Sequence, residues 1–227
     1  TESLAGRVGI VSLLGFSFAE LRRQQQYLSA FLPGRHHWKQ SDVKRKKITT
    51  STLFRHIVRG AFPALTQRHA PVPDEFYNSY LQTYLDRDLR EIFHIGKLST
   101  FHTFLQLCAA RTGQMLNYSD IARDAGVSVH AAREWISILE HSFQIYLLQP
   151  YFPNVAKRLI KTPKLYFLDT GLAAFLTKWK TGETLAASAM AGAFFETFVV
   201  SEIVKSYLFR GLQPPLYYLR DKEGHEI

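Results

Sequence analysis

Residues 117–139 read NYSDIARDAGVSVHAAREWISIL and carry the signals of a helix-turn-helix. Asn117 and Ser128 have side chains that cap helix N-termini, so each is expected to begin a helix. Gly126 lies between the two helices and can adopt the left-handed conformation that ends the first. Ala122 is small enough to let the second helix approach closely. The spacing therefore predicts two short helices joined by a tight turn, as in DNA-reading helix-turn-helix motifs.

The second helix of this motif is predicted to bury one face and expose the other. Spacings of three and four place on the buried face Val129, Ala132, Trp135 or Ile136, and Leu139. The candidate nucleic-acid contacts on the exposed face are Ser128, His130 and Arg133. Of these, Arg133 is suited to a guanine edge or a phosphate. Glu134 on the same face would repel phosphate, so this helix is less basic than the recognition helix of a dedicated repressor.

Two apolar runs rich in strand-forming residues follow the motif, FQIYLLQP at 143–150 and KLYFLD at 164–169. The loop between them contains Lys157, Arg158 and Lys161 and no acidic residue. Two strands joined by a basic loop after a helix-turn-helix predict a winged helix. The three cations make this wing the preferred contact to a DNA backbone. The alternative is that the winged helix serves protein packing.

The whole chain is predicted to be mostly α-helical with a smaller β content. Helices are expected at 51–60, 73–95 and 99–112, and a buried strand within 1–15. A capping box at Ser17–Glu20 predicts a further helix to about Leu32, where Pro33 and Gly34 would end it. Within residues 35–50 the run Lys44–Lys47 is expected to be a solvated linker, with DNA contact as the alternative.

Composition narrows the classes of protein to which the chain can belong. Its 227 residues are 46% hydrophobic and 21% charged, which is ordinary for a globular protein. No apolar run approaches the ~18–20 residues that span a membrane, so no membrane partner is expected. The net charge of +9 favours polyanions such as double-stranded DNA. The single cysteine, Cys108, favours the cytoplasm, and its apolar neighbours favour a buried small residue over a reactive thiol.

Five further stretches form a distinctive set along the chain. They are YLQTYLDRDLR at 80–90, ARTGQMLNY at 110–118, KTPKLYFLDTGL at 161–172, GAFFETFVVSE at 192–202 and LYYLRDKEGHE at 216–226. In this order, they resemble the C-terminal part of the prokaryotic AAA-type P-loop ATPases that carry domain of unknown function 4143. The resemblance covers nearly the whole chain.

The resemblance implies that an ATPase module with Walker A and Walker B motifs precedes this part of the protein. The intact parent would then bind ATP and Mg²⁺, and Arg7 would lie near the nucleotide. The chain contains no Gly-x-x-x-x-Gly-Lys-Ser/Thr loop, so no cofactor and no ATP hydrolysis are expected of it alone. Because it begins with Thr1 rather than Met, the chain is expected to be part of a longer protein.

The resemblance also implies that the C-terminal end begins a restriction-endonuclease-like α/β core, with a strand at Leu216–Arg220. Glu196 would be the helix carboxylate of that core, and Glu202, six residues further on, is the weaker candidate. The favoured alternative is that both are exposed helix acids. The core is expected to be incomplete after Ile227, with too few carboxylates for a metal site.

The predicted organisation is therefore the tail of an ATPase module at 1–34, a basic linker at 35–50, a helical segment at 51–112, a winged helix-turn-helix at 113–180 and an incomplete nuclease-like domain at 181–227. Three functions fit this organisation. The first is a non-catalytic, DNA-associated module of a P-loop ATPase. The second is a protein-interaction or self-association module coupled to the ATPase. The third is an inactive fragment of a metal-dependent nuclease.

Overall fold

A computed structural model of the chain describes residue 9 and residues 11–22, 47–83, 98–151 and 162–220. Helices predominate in these residues. Their bounds are α1 Phe18–Leu21, α2 Thr50–Arg59, α3 Pro73–Tyr80, α4 Leu98–Ala110, α5 Tyr118–Ala125, α6 Val129–His141, α7 Thr170–Leu176, α8 Gly182–Ala186 and α9 Ala191–Leu208, with a 3-10 helix at Pro63–Thr66. The strands are β1 Gln114–Met115, β2 Ile145–Leu148 and β3 Lys164–Phe167. The prediction of a mostly α-helical chain with a smaller β content is confirmed.

The three strands form one antiparallel sheet in the order β1-β3-β2. Leu165 of β3 is paired with Gln114 on one side and with Leu147 on the other. Along the chain the order is α4, β1, α5, α6, β2 and β3. A helix, a strand, a helix-turn-helix and two further strands make up a winged helix, so the structure contains the predicted motif together with a strand, β1, that was not predicted.

The central strand β3 is buried on both faces. Leu165 and Phe167 belong to the main hydrophobic core, whereas Tyr166 and Leu168 belong to a second, smaller cluster. Alternate residues of a strand point to opposite faces of its sheet. The second cluster is completed by residues of α9, namely Val200, Val204 and Leu208. Burial between two layers explains why this strand is a continuous apolar run in the sequence.

Asp169 joins three elements of the main core. Its Oδ1 accepts hydrogen bonds from the backbone N–H of Leu172, as the N-cap of α7, and from the hydroxyl of Tyr77 on α3, both at 2.8 Å. Its Oδ2 accepts from the backbone N–H of Ala61, beyond the end of α2, at 2.8 Å. One carboxylate thus satisfies donors from three segments of the chain.

Two glycines allow the close approach of backbone segments at this junction. Gly60 ends α2 with a φ of +79°, a conformation that glycine adopts without steric cost. A Cβ atom on Gly171 would lie 2.2 Å from the Tyr77 hydroxyl oxygen and 2.5 Å from the Cα of Gly60. These distances leave no room for a side chain at position 171.

The N-terminal residues differ from the prediction. In residue 9 and residues 11–15 no strand is present, and Val11 and Leu13 are 54% and 81% exposed. The predicted buried strand is therefore wrong for the described residues, because this segment finds no neighbouring strand. The capping box is confirmed: the Ser17 N–H donates to Glu20 Oε2 at 2.7 Å, and the Glu20 N–H donates to Ser17 Oγ at 3.3 Å.

The helical segment agrees with the prediction over its described parts. Helices α2 and α4 match the expected helices at 51–60 and 99–112 within two residues, and α3 begins at Pro73 as expected. Residues 84–97, which include the rest of the helix predicted at 73–95, lie outside the described residues. Most of the basic linker, residues 35–46, lies outside them as well.

Residues 216–220 do not form the predicted strand. Tyr218 makes an isolated parallel bridge to Pro150, and its backbone N–H donates to the carbonyl of Gln149 at 3.1 Å. The backbone N–H of Tyr151 in turn donates to the carbonyl of Tyr218 at 2.7 Å, so the bridge extends the line of β2. The predicted domain boundaries stay a prediction.

Candidate nucleic-acid interface

The caps and the turn of the helix-turn-helix are formed as the sequence predicts. Asn117 Oδ1 accepts from the backbone N–H of Asp120 at 3.2 Å and begins α5. Gly126 ends that helix in the left-handed conformation, with a φ of +69°. Ser128 Oγ accepts from the backbone N–H of Ala131 at 3.1 Å and begins α6. These local contacts fix the angle at which α6 leaves the turn.

The buried face of α6 differs in part from the prediction. Ala132, Ile136 and Leu139 are at most 1% exposed, so Ile136 rather than Trp135 occupies the central position. Trp135 instead lies half-buried beside α4. Val129 is 39% exposed, so its assignment to the buried face is wrong. As the first residue of α6, it lies beyond the reach of the core.

The three predicted contacts on α6 are exposed, and each already has a partner within the chain. The Ser128 hydroxyl is engaged in the N-cap. The Nε2 of His130 lies 3.4 Å from Glu134 Oε1. The guanidinium carbon of Arg133 lies 4.4 Å from the centre of the Tyr118 ring, a cation–π contact. A DNA contact through Arg133 would have to be made from this stacked position or replace it.

The charges of the helix-turn-helix are largely balanced within it. Arg123 Nη1 lies 3.1 Å from Asp120 Oδ1, and its Nε lies 3.2 Å from Asp124 Oδ1. Residues 117–139 contain two arginines against three carboxylates. This surface therefore has no excess of positive charge to attract a phosphate backbone.

The predicted wing contacts, Lys157, Arg158 and Lys161, lie outside the described residues. The strands that carry the wing, β2 and β3, pair from Ile145–Phe167 to Leu148–Lys164, so the connection between them leaves at the end where the wing is expected. Arg7, the predicted nucleotide-proximal residue, also lies outside the described residues.

Glu196, the nuclease-like candidate, is bound to two side chains of β3. Its Oε1 accepts from Lys164 Nζ at 2.7 Å and from the Tyr166 hydroxyl at 2.6 Å. The Lys164 side chain is 4% exposed, whereas that of Glu196 is 45% exposed. A buried ammonium group requires an anionic partner, and Glu196 provides it. In the sequence, this role of Lys164 is indicated only by a cation at the start of an apolar run.

Glu202 binds a different part of the chain. Its Oε1 accepts from Lys205 Nζ at 2.9 Å, and its Oε2 accepts from the backbone N–H of Phe18 at 2.7 Å. The structure therefore does not bring Glu196 and Glu202 to a common site. Among the described residues, no three His, Cys, Asp or Glu side chains are grouped so that they could hold a metal ion.

Cys108 is fully buried in the main core, and burial raises the pKa of its thiol. A thiol that stays protonated is a poor nucleophile, so the interpretation of Cys108 as a small buried residue is confirmed. Across the described ranges, no helix has both the length and the apolar character required to cross a membrane.

Comparisons with known proteins give a family without a known function. A family model described as "Domain of unknown function (DUF8612)" matches residues 50–183, which include the winged helix. Uncharacterised proteins of Mycobacterium bovis and Mycobacterium tuberculosis are each 27% identical over 229 residues. The match covers 100% of this chain and 45% of each relative, so the chain spans less than half the length of these relatives. No solved structure matches the chain.

Proposed function

The chain belongs to the family of the domain of unknown function DUF8612, and we propose that it is a non-catalytic winged-helix module that associates with double-stranded DNA. In this proposal the module contacts the DNA backbone mainly through its wing. It is the C-terminal part of a cytoplasmic P-loop ATPase, which binds ATP and Mg²⁺ through a preceding module.

The observation that carries the proposal is the arrangement of α5, α6 and the sheet. The exposed side of α6 presents His130 and Arg133 to solvent, and β2 and β3 follow α6 in the chain as the strands of a winged helix do. A helix-turn-helix contacts DNA with the N-terminal residues of its second helix. In this proposal the basic residues between β2 and β3 contact the adjacent DNA backbone.

The distribution of charge indicates which contacts dominate. Because residues 117–139 carry more carboxylates than arginines, α6 contributes little attraction for phosphate. The loop at 152–161 has three cations and no acid. Phosphate contacts position a protein on DNA but do not specify a sequence. We therefore expect binding that depends strongly on salt and only weakly on base sequence.

The link to an ATPase is supported by the five stretches that resemble the AAA-type ATPase family. The mycobacterial relatives are more than twice as long as the matched region, which leaves room in those proteins for a module of that size. The part that Arg7 would take at the nucleotide belongs to the same proposal.

The test is the salt dependence of binding to a fluorescein-labelled DNA duplex, measured by fluorescence anisotropy. The variant replaces Lys157, Arg158 and Lys161 together by Ala. The slope of log K against log salt is negative, and each lost phosphate contact reduces its magnitude by about 0.9. Loss of three contacts would thus reduce the magnitude by about 2.7. A duplex of scrambled sequence should bind the unaltered protein about as well as the first duplex.

A matched control replaces Lys44, Arg45 and Lys46 by Ala, which removes the same charge from the basic linker. We expect this variant to keep the slope of the unaltered protein. Equal slopes for the wing variant and the unaltered protein would contradict the assignment of the wing. Equal losses in both triple variants would also contradict it, because the loss would then come from net charge or from contact by the linker as much as from the wing.

A protein-interaction or self-association module is the second candidate, because a specific observation favours it. The polar side chains of the helix-turn-helix surface are paired with one another, as Arg123 is with Asp120 and Asp124. Such a surface suits an interface without strong charge better than a DNA groove. Absence of DNA binding at low salt, combined with a concentration-dependent mass in light scattering, would favour this candidate.

A further inference from the structure

Residues 11–22 lie as a strap across α2 and α9. The backbone N–H of Phe16 donates to the carbonyl of Ala61 at 2.8 Å, just beyond the end of α2. The ring of Phe18 lies edge-on to His56 of α2 and to Phe198 of α9, with ring centres 5.0 and 5.6 Å away. The strap thus contacts two helices that are far apart in the sequence.

A buried ion pair on α9 holds the strap through its backbone. Lys205, whose side chain is 3% exposed, donates from Nζ to Glu202 Oε1 at 2.9 Å and to the carbonyl of Phe16 at 3.1 Å. Glu202 Oε2 accepts from the backbone N–H of Phe18 at 2.7 Å. Each member of the pair therefore binds one backbone group of the strap. We call Lys205 and Glu202 the latch.

Apolar packing attaches the strap at two residues. The ring of Phe18 packs against His56 and Phe198, and Leu14 packs against the smaller cluster. The strap contributes no residue to the main core, its one buried residue is polar, Ser17, and Val11 and Leu13 are more than half exposed. Segments with few buried apolar contacts open locally at a lower free energy than the core. The latch therefore adds polar contacts to an attachment that buries little apolar surface.

Release of the strap would leave most of the packing of the winged helix in place. Its two helices pack within the main core, to which the strap contributes no residue, whereas the smaller cluster at β3 would lose its contact with Leu14. Release would uncover the ring of Phe198 and a cavity of about 10 Å³ lined by strap residues, His56 and the latch. Burial lowers the pKa of His56, so near neutral pH its ring packs against Phe18 without a charge.

We propose that the strap is a conformational device, which opens as a unit from α2 and α9 while the winged helix stays folded, and that the latch controls this opening. In the closed state the latch holds the backbone of Phe16 and Phe18 against α9. In the open state residues 16–21 no longer contact α2 and α9. The inference concerns the described residues alone and does not depend on DNA binding.

Hydrogen exchange of the full chain, followed by mass spectrometry or NMR, tests this device. In the unaltered protein the amides of residues 16–21 exchange with one common opening rate, faster than the amides of α6. In Glu202→Gln the amide oxygen can still accept from the Phe18 N–H, but it has no charge, and hydrogen bonds to charged groups are roughly twice as strong as neutral ones. The strap amides should then exchange about five- to tenfold faster, with α6 unchanged.

Glu196→Gln is the matched control, because Glu196 lies on the same helix and also pairs with a buried lysine but does not contact the strap. It should leave exchange of the strap unchanged. Two results would overturn the inference. One is exchange of strap and α6 at a single rate in the unaltered protein, which does not depend on any variant folding. The other is a strap in Glu202→Gln that exchanges as slowly as before.

Discussion

Replacement of Asp169 by Ala should destabilise the chain more than the loss of any exposed acid. The Asp169 carboxylate accepts three hydrogen bonds of 2.8 Å, from Leu172, Tyr77 and Ala61. Tyr77 is 1% exposed, so no water can replace the lost acceptor, and its hydroxyl is left with the carbonyl of Arg59 at 3.2 Å. The pKa of Tyr77 is raised, by burial first and then by the charge of Asp169. The hydroxyl therefore remains a donor at neutral pH.

The magnitude follows from the three contacts. Loss of an N-cap side chain costs about 1 kcal/mol. Each of the two other hydrogen bonds to the carboxylate contributes about 1.5 kcal/mol, the lower limit for charged acceptors, because Asp169 is only partly buried. Their sum is about 4 kcal/mol, a large part of the ~5–15 kcal/mol that stabilises a typical domain.

Urea unfolding followed by circular dichroism at pH 7 measures this loss. With a slope of about 2.5 kcal/mol per molar urea, the midpoint should fall by about 1.5 M. The control is Asp120→Ala, which removes an exposed acid from the first turn of α5 and should cost less than about 1 kcal/mol. A loss at Asp169 no larger than that of the control would refute the reasoning.

Two further predictions concern burial. Burial, aided by the charge of Glu140, raises the pKa of Tyr146 to about 12. The unfolded chain loses the Tyr146 hydroxyl proton near the ordinary pKa of 10, whereas the folded chain keeps it to about pH 12. Stability present below pH 10 should fall by about 1.4 kcal/mol per pH unit between these values. In urea unfolding of Tyr146→Phe, the free energy of unfolding should not show this part of the decline. Equal declines in the variant and the unaltered protein would refute the prediction. Gly171→Ala would place a Cβ atom 2.2 Å from the Tyr77 hydroxyl oxygen. It should lower the thermal midpoint more than Gly192→Ala, where the added Cβ would have no atom within 4 Å apart from its chain neighbours and its own helix backbone. Equal midpoints would show that the backbone at the junction shifts to accommodate the methyl group.

The helix-turn-helix could be predicted in detail because its signals are local. A cap, a glycine and a small residue act within one or two turns of the chain, so Asn117, Gly126 and Ser128 have the roles that their spacing indicates. The error at Val129 has a different cause. Periodicity assigns a residue to a face of the helix but does not show where the core ends along its axis.

The candidate site was less predictable, because its charges find partners across long distances. Glu196 pairs with Lys164, 32 positions away, and Glu202 binds the backbone of Phe18, 184 positions away. A sequence pattern for a nuclease-like acid cannot distinguish such pairing from an acid that faces solvent. The positive charge of residues 152–161, by contrast, is a property of composition.

The sequence by itself determined the helix-turn-helix, the caps, the positive charge of residues 152–161 and the burial of Cys108, because local chemistry and composition are sufficient for each. Only the tertiary structure decided that a two-residue strand, β1, joins the sheet, since so short a strand has no periodicity and exists through its pairing with β3. Packing also decided that α9 covers the second face of that sheet. The two glutamates of α9 then meet buried lysines and the backbone of a distant segment, because a charge removed from water requires a partner wherever the fold supplies one.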